Sequence, residues 1–168
     1  MSASRIADPK IAPHGDRQTV DPRRPRVAAV RAAGVAAILF GIVATFHAAL
    51  VLGAPWGEFT QGGTTTGSLS TSGRLVAAAS CALLFLMAGA ILGRVRRGPF
   101  RNWPARVRTV LAWVTTVYAA VNVVLNLITR TASERAVWAP VSLLLLGLVT
   151  FVMVTTASPA SRRLRRVT

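Results

Sequence analysis

The chain has 168 residues, 52% of them hydrophobic, with a mean hydropathy of +0.50 and a net charge of +15. A single cysteine excludes an intrachain disulfide and a two-thiol redox relay. The apolar residues are gathered into blocks of about 20 instead of being spread at helix or strand period, which excludes an ordinary water-soluble domain.

Nineteen of the 20 basic residues are arginine. In a soluble protein such a balance would point to nucleic acid. Here the arginines form clusters that abut apolar blocks. That is the pattern of a chain oriented by charge and drawn to an anionic cytoplasmic leaflet. The expected partner is therefore the lipid bilayer, not nucleic acid. The preference for Arg over Lys, with much Ala and Val, resembles the output of a GC-rich bacterial genome.

Residues 1–26 are rich in Pro, Asp and Arg and poor in apolar side chains. This stretch reads as a disordered basic tail. It is not a signal peptide, because the first apolar block starts too late and runs too long. His14 lies in this tail.

The first span is expected at 27–52. Arg31 sits near its start, where its long side chain can reach the headgroups. Ala33, Ala37, Gly41, Thr45 and Ala49 recur every four residues and are expected to form a packing face of small side chains. Pro55 is expected to end the helix, and Trp56 beside it suits the membrane surface. The loop 53–73 is polar and rich in Gly, Thr and Ser, with turn signals at Gly62-Gly63 and Ser72-Gly73. Little regular structure is expected there.

The second span is expected at 75–93 and contains Cys81 as a small apolar residue. It ends in Gly89-Ala90-Ile91-Leu92-Gly93, a spacing that permits close helix pairing. The stretch 94–108 carries six arginines and reads as a loop, with Phe100 and Trp103 at headgroup level.

The third span is expected at 109–129. Thr115, Tyr118, Asn122 and Asn126 share one helical face, which should point into the bundle, because an amide in hydrocarbon needs a partner. The fourth span is expected at 137–156. It opens with Trp138-Ala139-Pro140, a proline position tolerated in a first turn, with the tryptophan marking the membrane interface. Residues 158–168 form a basic C-terminal tail.

The expected architecture is thus an all-α transmembrane four-helix bundle. Seventeen basic residues fall in the N-terminal tail, the middle loop and the C-terminal tail, and three in the other two loops. That imbalance predicts both termini in the cytoplasm, in a multi-pass protein of the plasma membrane.

His47, Asn122 and Asn126 then fall at similar depths, roughly 6 to 12 Å below the outer surface at 1.5 Å per residue. Trp56, Glu58, Arg74, Arg130, Glu134, Arg135 and Trp138 lie at the rim above them. Two readings fit. The polar side chains can lock a non-enzymatic interaction module, bonding to one another and to backbone, while Glu–Arg pairs fix the loops. Alternatively, His47, Tyr118, Asn122 and Asn126, with Trp56, Glu58, Glu134 and Arg135, form an outward-facing site for a lipid headgroup, quinone or small molecule. Catalysis has little support, since no H-E-x-x-H or G-x-S-x-G is present. Neither a metal nor another cofactor is expected, because the spans hold too few ligands. A second copy or another membrane protein is a compatible partner.

The set His47, Leu52-Gly53-Ala54-Pro55-Trp56-Gly57, Gly62-Gly63, Asn126, Ser133-Glu134-Arg135 and Trp138-Ala139-Pro140 resembles a group of small four-span membrane proteins of actinobacteria and related bacteria. The resemblance covers about residues 30–156. It implies a fold and a membrane location, and no activity.

Overall fold

The computed structural model describes residues 24–157. The tail up to residue 23, with His14, and the tail from 158 onward lie outside the described residues. Four helices follow one another: α1 (Arg24–Val51), α2 (Thr71–Arg94), α3 (Ala105–Ile128) and α4 (Ala132–Thr156). The shortest have 24 residues, about 36 Å at 1.5 Å per residue, enough to cross ~30 Å of hydrocarbon. Ile38, Ile42, Leu75, Phe85, Val110, Val117, Val124 and Val154 are all more than half exposed on their outer faces. An apolar surface of that extent belongs in lipid. The described residues form an all-α bundle whose four helices are long and apolar enough to cross a membrane, the make-up of a multi-pass membrane protein.

The helices begin earlier than their apolar blocks, because polar residues start them. Ser70 caps α2 by accepting from the Gly73 amide at 3.3 Å. α1 starts at Arg24 instead of 27, with Pro25 in the first turn, where its missing N–H costs nothing. α3 starts at Ala105, so Arg108 is helical and buried instead of lying in a loop. α4 starts at Ala132, which puts Pro140 well inside the helix, not in its first turn.

Pro55 does not stop α1. The helix ends at Val51, and Gly53 turns it with φ +101 while the Ala54 amide reaches back to the Ala49 carbonyl at 2.9 Å. This is a Schellman-type stop. α2 ends the same way: Arg96 takes φ +61 and the Arg97 amide bonds the Leu92 carbonyl at 2.9 Å.

The helices form a ring in chain order. α1 packs on α2 and α4, and α3 on α4; α2 and α3 meet least among neighbours. Phe40, Ile91, Val149 and Val152 fill the centre with less than 2% exposure. Ala32, Ala33, Ala36 and Ala44 are buried on α1 and let its neighbours close in.

The every-fourth ladder on α1 is not that face. Four residues advance a helix by about 400°, so such a ladder turns roughly 40° per step. It starts buried at Ala33 and is exposed by Thr45, and a Cβ on Gly41 would meet nothing within 4 Å. The Gly89–Gly93 pair receives no second helix either. A Cβ on Gly89 would come within 2.9 Å of the Phe100 ring, and one on Gly93 within 3.0 Å of Phe100 Cβ. The α2–α3 turn folds back onto this notch.

Loop 53–73 is ordered into a cap. It holds two single 3-10 turns, Gly57–Phe59 and Gln61–Gly63, and one isolated bridge pairs Trp56 with Gly67. Leu69 plugs between Leu50 of α1 and Ala77 of α2. Gln61 Nε2 donates to the Gly73 carbonyl at 2.8 Å. Gly63 has φ +65 and lies directly against Thr131.

Two glycines therefore make opposite predictions. Gly41→Ala should leave the thermal midpoint in detergent unchanged or slightly raised, since alanine is the better helix former and has room. Gly63→Ala should cost about 1–3 kcal/mol through its left-handed backbone and its contact with Thr131. Equal midpoints for the two variants would contradict the packing of the cap.

Candidate functional site

Two ends of the bundle can be told apart by what they hold. The cap end carries loop 53–73 and the α3–α4 turn. The opposite end carries the arginines of residues 94–108.

A cavity of about 320 Å³ opens inside the cap end. α1 lines it with Phe40, Val43 and His47, and α2 with Ser80 and Leu84. α3 contributes Tyr118, Asn122, Leu125 and Asn126; α4 contributes Glu134, Trp138, Ser142 and Leu145. Thr60 and Gly62 of the cap and Thr129 of the α3–α4 turn border it too. Side-chain hydrogen bonds between α2 and α3 occur in the other half: Thr115 Oγ1 to Met87 Sδ at 3.1 Å, Arg94 to Thr109 and Arg108 to Gly93. Toward the cap the two helices are spanned by the cavity instead.

His47 Nδ1 lies 2.9 Å from the Val43 carbonyl. A carbonyl only accepts, so Nδ1 carries the proton and donates. In the neutral ring, Nε2 is then an acceptor. No described residue bonds to it. Asn122 Nδ2 donates to the Tyr118 carbonyl at 2.9 Å, one turn back on its own helix. Asn126 lines the cavity and is half-buried.

Glu134 is buried at 8% exposure, in the first turn of α4. Its Oε2 accepts from Thr129 Oγ1 at 2.6 Å and Thr131 Oγ1 at 3.3 Å, and its Oε1 from the Gly62 amide at 3.4 Å. The positive end of the α4 dipole adds to these donors. The carboxylate thus ties the cap to the α3–α4 turn through hydroxyls and an amide, not through the arginine pairing expected of it.

Trp138 sits four residues on, on the same helical face. Its Nε1 donates to the Phe59 carbonyl at 2.6 Å. Phe46 lies between two tryptophans, stacked on Trp56 at 5.9 Å and 8° and edge-on to Trp138 at 4.8 Å and 62°. The two tryptophans expected as surface anchors therefore clamp the end of α1, although Trp56 stays 44% exposed.

Among the residues proposed from sequence, His47, Tyr118, Asn122, Asn126 and Glu134 border one cavity. Trp56, Glu58 and Arg135 are exposed and do not line it. Thr60, Ser80, Thr129 and Ser142 were not singled out as site residues, and Trp138 was expected only at the rim. Trp138 and Ser142 follow Glu134 at helical spacing and carried a readable signal. Thr60 had none, because a loop has no period. No group of three or more His, Cys, Asp or Glu placed to hold a metal ion occurs among the described residues.

Replacing Glu134 by Ala should loosen the cap by about 1–3 kcal/mol, as three donors lose a buried acceptor. Trp138→Phe should cost about 0.5–1.5 kcal/mol through the Phe59 bond. Hydrogen exchange at the amides of residues 57–63 should quicken in both variants. Unchanged exchange would show that the cap is held by other contacts. No protein-family model, curated protein or solved structure matches the chain.

Proposed function

We propose that this protein is a non-enzymatic binding protein of the bacterial plasma membrane that holds the polar head of a small amphipathic molecule in the cap-end cavity. Lipid headgroups and quinones are the candidate classes. The observation that carries this reading is a cavity of about 320 Å³ bordered by His47, Tyr118, Asn122 and Asn126.

The alternative, that these side chains merely lock the bundle, is less well supported. A lock needs bonds from helix to helix. The His47 bond to Val43 and the Asn122 bond to Tyr118 each run one turn back along their own helix. They satisfy the side chains locally and leave His47 Nε2 for a guest.

The cavity offers that acceptor, the Asn126 amide as donor and acceptor, and apolar walls at Phe40, Leu84 and Leu145. This mixture suits a ligand oriented by a few polar contacts. Leu125 both borders the cavity and is 54% exposed on the outside of α3, which provides a route to lipid for an apolar tail. Glu134 is engaged by three donors, which speaks for a structural carboxylate over a catalytic base.

The distribution of arginine supports an arginine end in the cytoplasm and a cap end facing outward. The bacterial assignment rests on the Arg-over-Lys bias and on the resemblance to small four-span proteins of actinobacteria.

Native mass spectrometry of the protein in nanodiscs made from its host membrane should show one retained non-protein adduct. His47→Ala and Asn126→Leu should each reduce its retention about tenfold, the loss of one or two hydrogen bonds at about 1 kcal/mol each. Helix content should stay unchanged. An adduct absent from the parent protein, or held equally by both variants, would remove the basis for this reading.

A further inference from the structure

The arginine end holds a second unusual arrangement. Arg94, the last residue of α2, donates from Nη1 to Thr109 Oγ1 of α3 at 3.1 Å and from Nη2 to the Thr156 carbonyl, at the end of α4, at 2.8 Å. Arg108, in the first turns of α3, reaches the other way and donates from Nη1 to the Gly93 carbonyl at 3.3 Å. The two side chains cross between the same pair of helices, so two positive charges lie side by side.

Nothing on the chain's described part neutralises them. Its acidic residues are Glu58 and Glu134, both at the cap end. Arg108 is only 8% exposed, and the Nε of each arginine is buried without a hydrogen-bond partner. The carbonyls at the ends of α2 and α4 offset part of the charge, being the negative ends of helix dipoles. They engage Arg108 only at Nη1. Its Nη2 remains without a partner among the described residues and is reachable, and a guanidinium N–H makes a short charge-assisted bond to an oxyanion.

A buried charge with a second positive charge beside it and no anion is costly. Their level in the molecule suggests the missing partner. Arg94 closes one span and Arg108 opens the next, which places both in the layer where lipid phosphates lie. Arg96, Arg97, Arg101 and Arg106 are exposed around them and raise the local concentration of anions.

We propose that the crossed Arg94–Arg108 pair is a binding site for one phosphate group. The phosphate meets Arg108 at Nη2, lies beside the Arg94 guanidinium, and supplies the charge that the bundle lacks. A lipid phosphate and a soluble phosphate share this chemistry. This site lies at the opposite end from the cap cavity and does not depend on what that cavity holds.

The test uses the full chain in nanodiscs of phosphatidylcholine, with phosphatidylglycerol added in steps. In a second arm, inorganic phosphate is compared with chloride at matched ionic strength. Thermal midpoint and lipid adducts by native mass spectrometry are read in both. A saturable rise of several degrees and one tightly held phosphatidylglycerol support a lipid phosphate. The same rise with inorganic phosphate alone supports the site and assigns it to a soluble ligand. R94Q/R108Q should lose at least tenfold in retention, and R108K, which keeps the charge but not the planar guanidinium with its placed Nη2 donor, should also weaken it. R96Q/R97Q should retain it. Should R94Q/R108Q fail to fold, the lipid titration of the parent chain decides by itself. The proposal is overturned by a midpoint indifferent to both phosphates, or by equal loss in R96Q/R97Q, which would mean diffuse attraction. An effect seen only after D8N/D16N/D21N would also overturn it, assigning the anion to the chain's own carboxylates.

Discussion

Inside hydrocarbon no water completes an unfinished hydrogen bond, and this constraint shapes every part of the molecule. It makes four uninterrupted helices the solution for the backbone. It also governs the side chains. Thr45, Thr115, Thr116 and Thr156 donate to the carbonyl four residues back, at 2.6 to 2.9 Å. His47 and Asn122 do the same with a ring nitrogen and an amide. Polar residues are thus carried through the apolar interior by their own helices. Groups that cannot be satisfied in this way collect at the two ends: His47 Nε2 and Asn126 below the cap, and the Nε groups of Arg94 and Arg108 opposite.

The cavity is a consequence of unequal packing. Alanines on α1 allow intimate contact with α2 and α4. α3 carries bulkier polar side chains at Tyr118, Asn122 and Asn126, and its hydrogen bonds to α2 are confined to the half holding Thr115, Thr109 and Arg108. Where the small residues and clasps stop, the helices part, and the space between them is roofed by Thr60 and Gly62. The roof is held by Glu134, by the Trp138–Phe59 bond and by Phe46 between two tryptophans. One end is therefore closed by aromatic stacking and one carboxylate, the other by arginines capping helix termini.

The number and kind of helices were legible because an apolar block of about 20 residues has few alternatives. Their limits were not, since Ser70 and Thr131 begin helices in polar sequence that hydropathy reads as loop. Spacing rules succeeded where they respected 3.6 residues per turn: Thr115, Tyr118, Asn122 and Asn126 do share the inward face. They misled where they did not, as with the every-fourth ladder of α1. A Gly-x-x-x-Gly notch states that something approaches closely, and nothing in the notch said that Phe100 of the next turn would fill it. The hydroxyl and amide partners of Glu134 come from Thr129, Thr131 and, 72 positions away, Gly62. No local pattern records that last pairing.

The central claim is that the chain crosses the membrane four times, with the cap and the arginine turn on opposite faces. Thiol labelling in sealed, uniformly oriented vesicles tests it most directly. In a Cys81→Ser background, Thr66→Cys in the cap and Ser133→Cys at the start of α4 should react with a membrane-impermeant reagent from one side. Arg101→Cys in the arginine turn should react only once the other side is opened. Labelling of Thr66→Cys and Arg101→Cys from the same face would contradict the account.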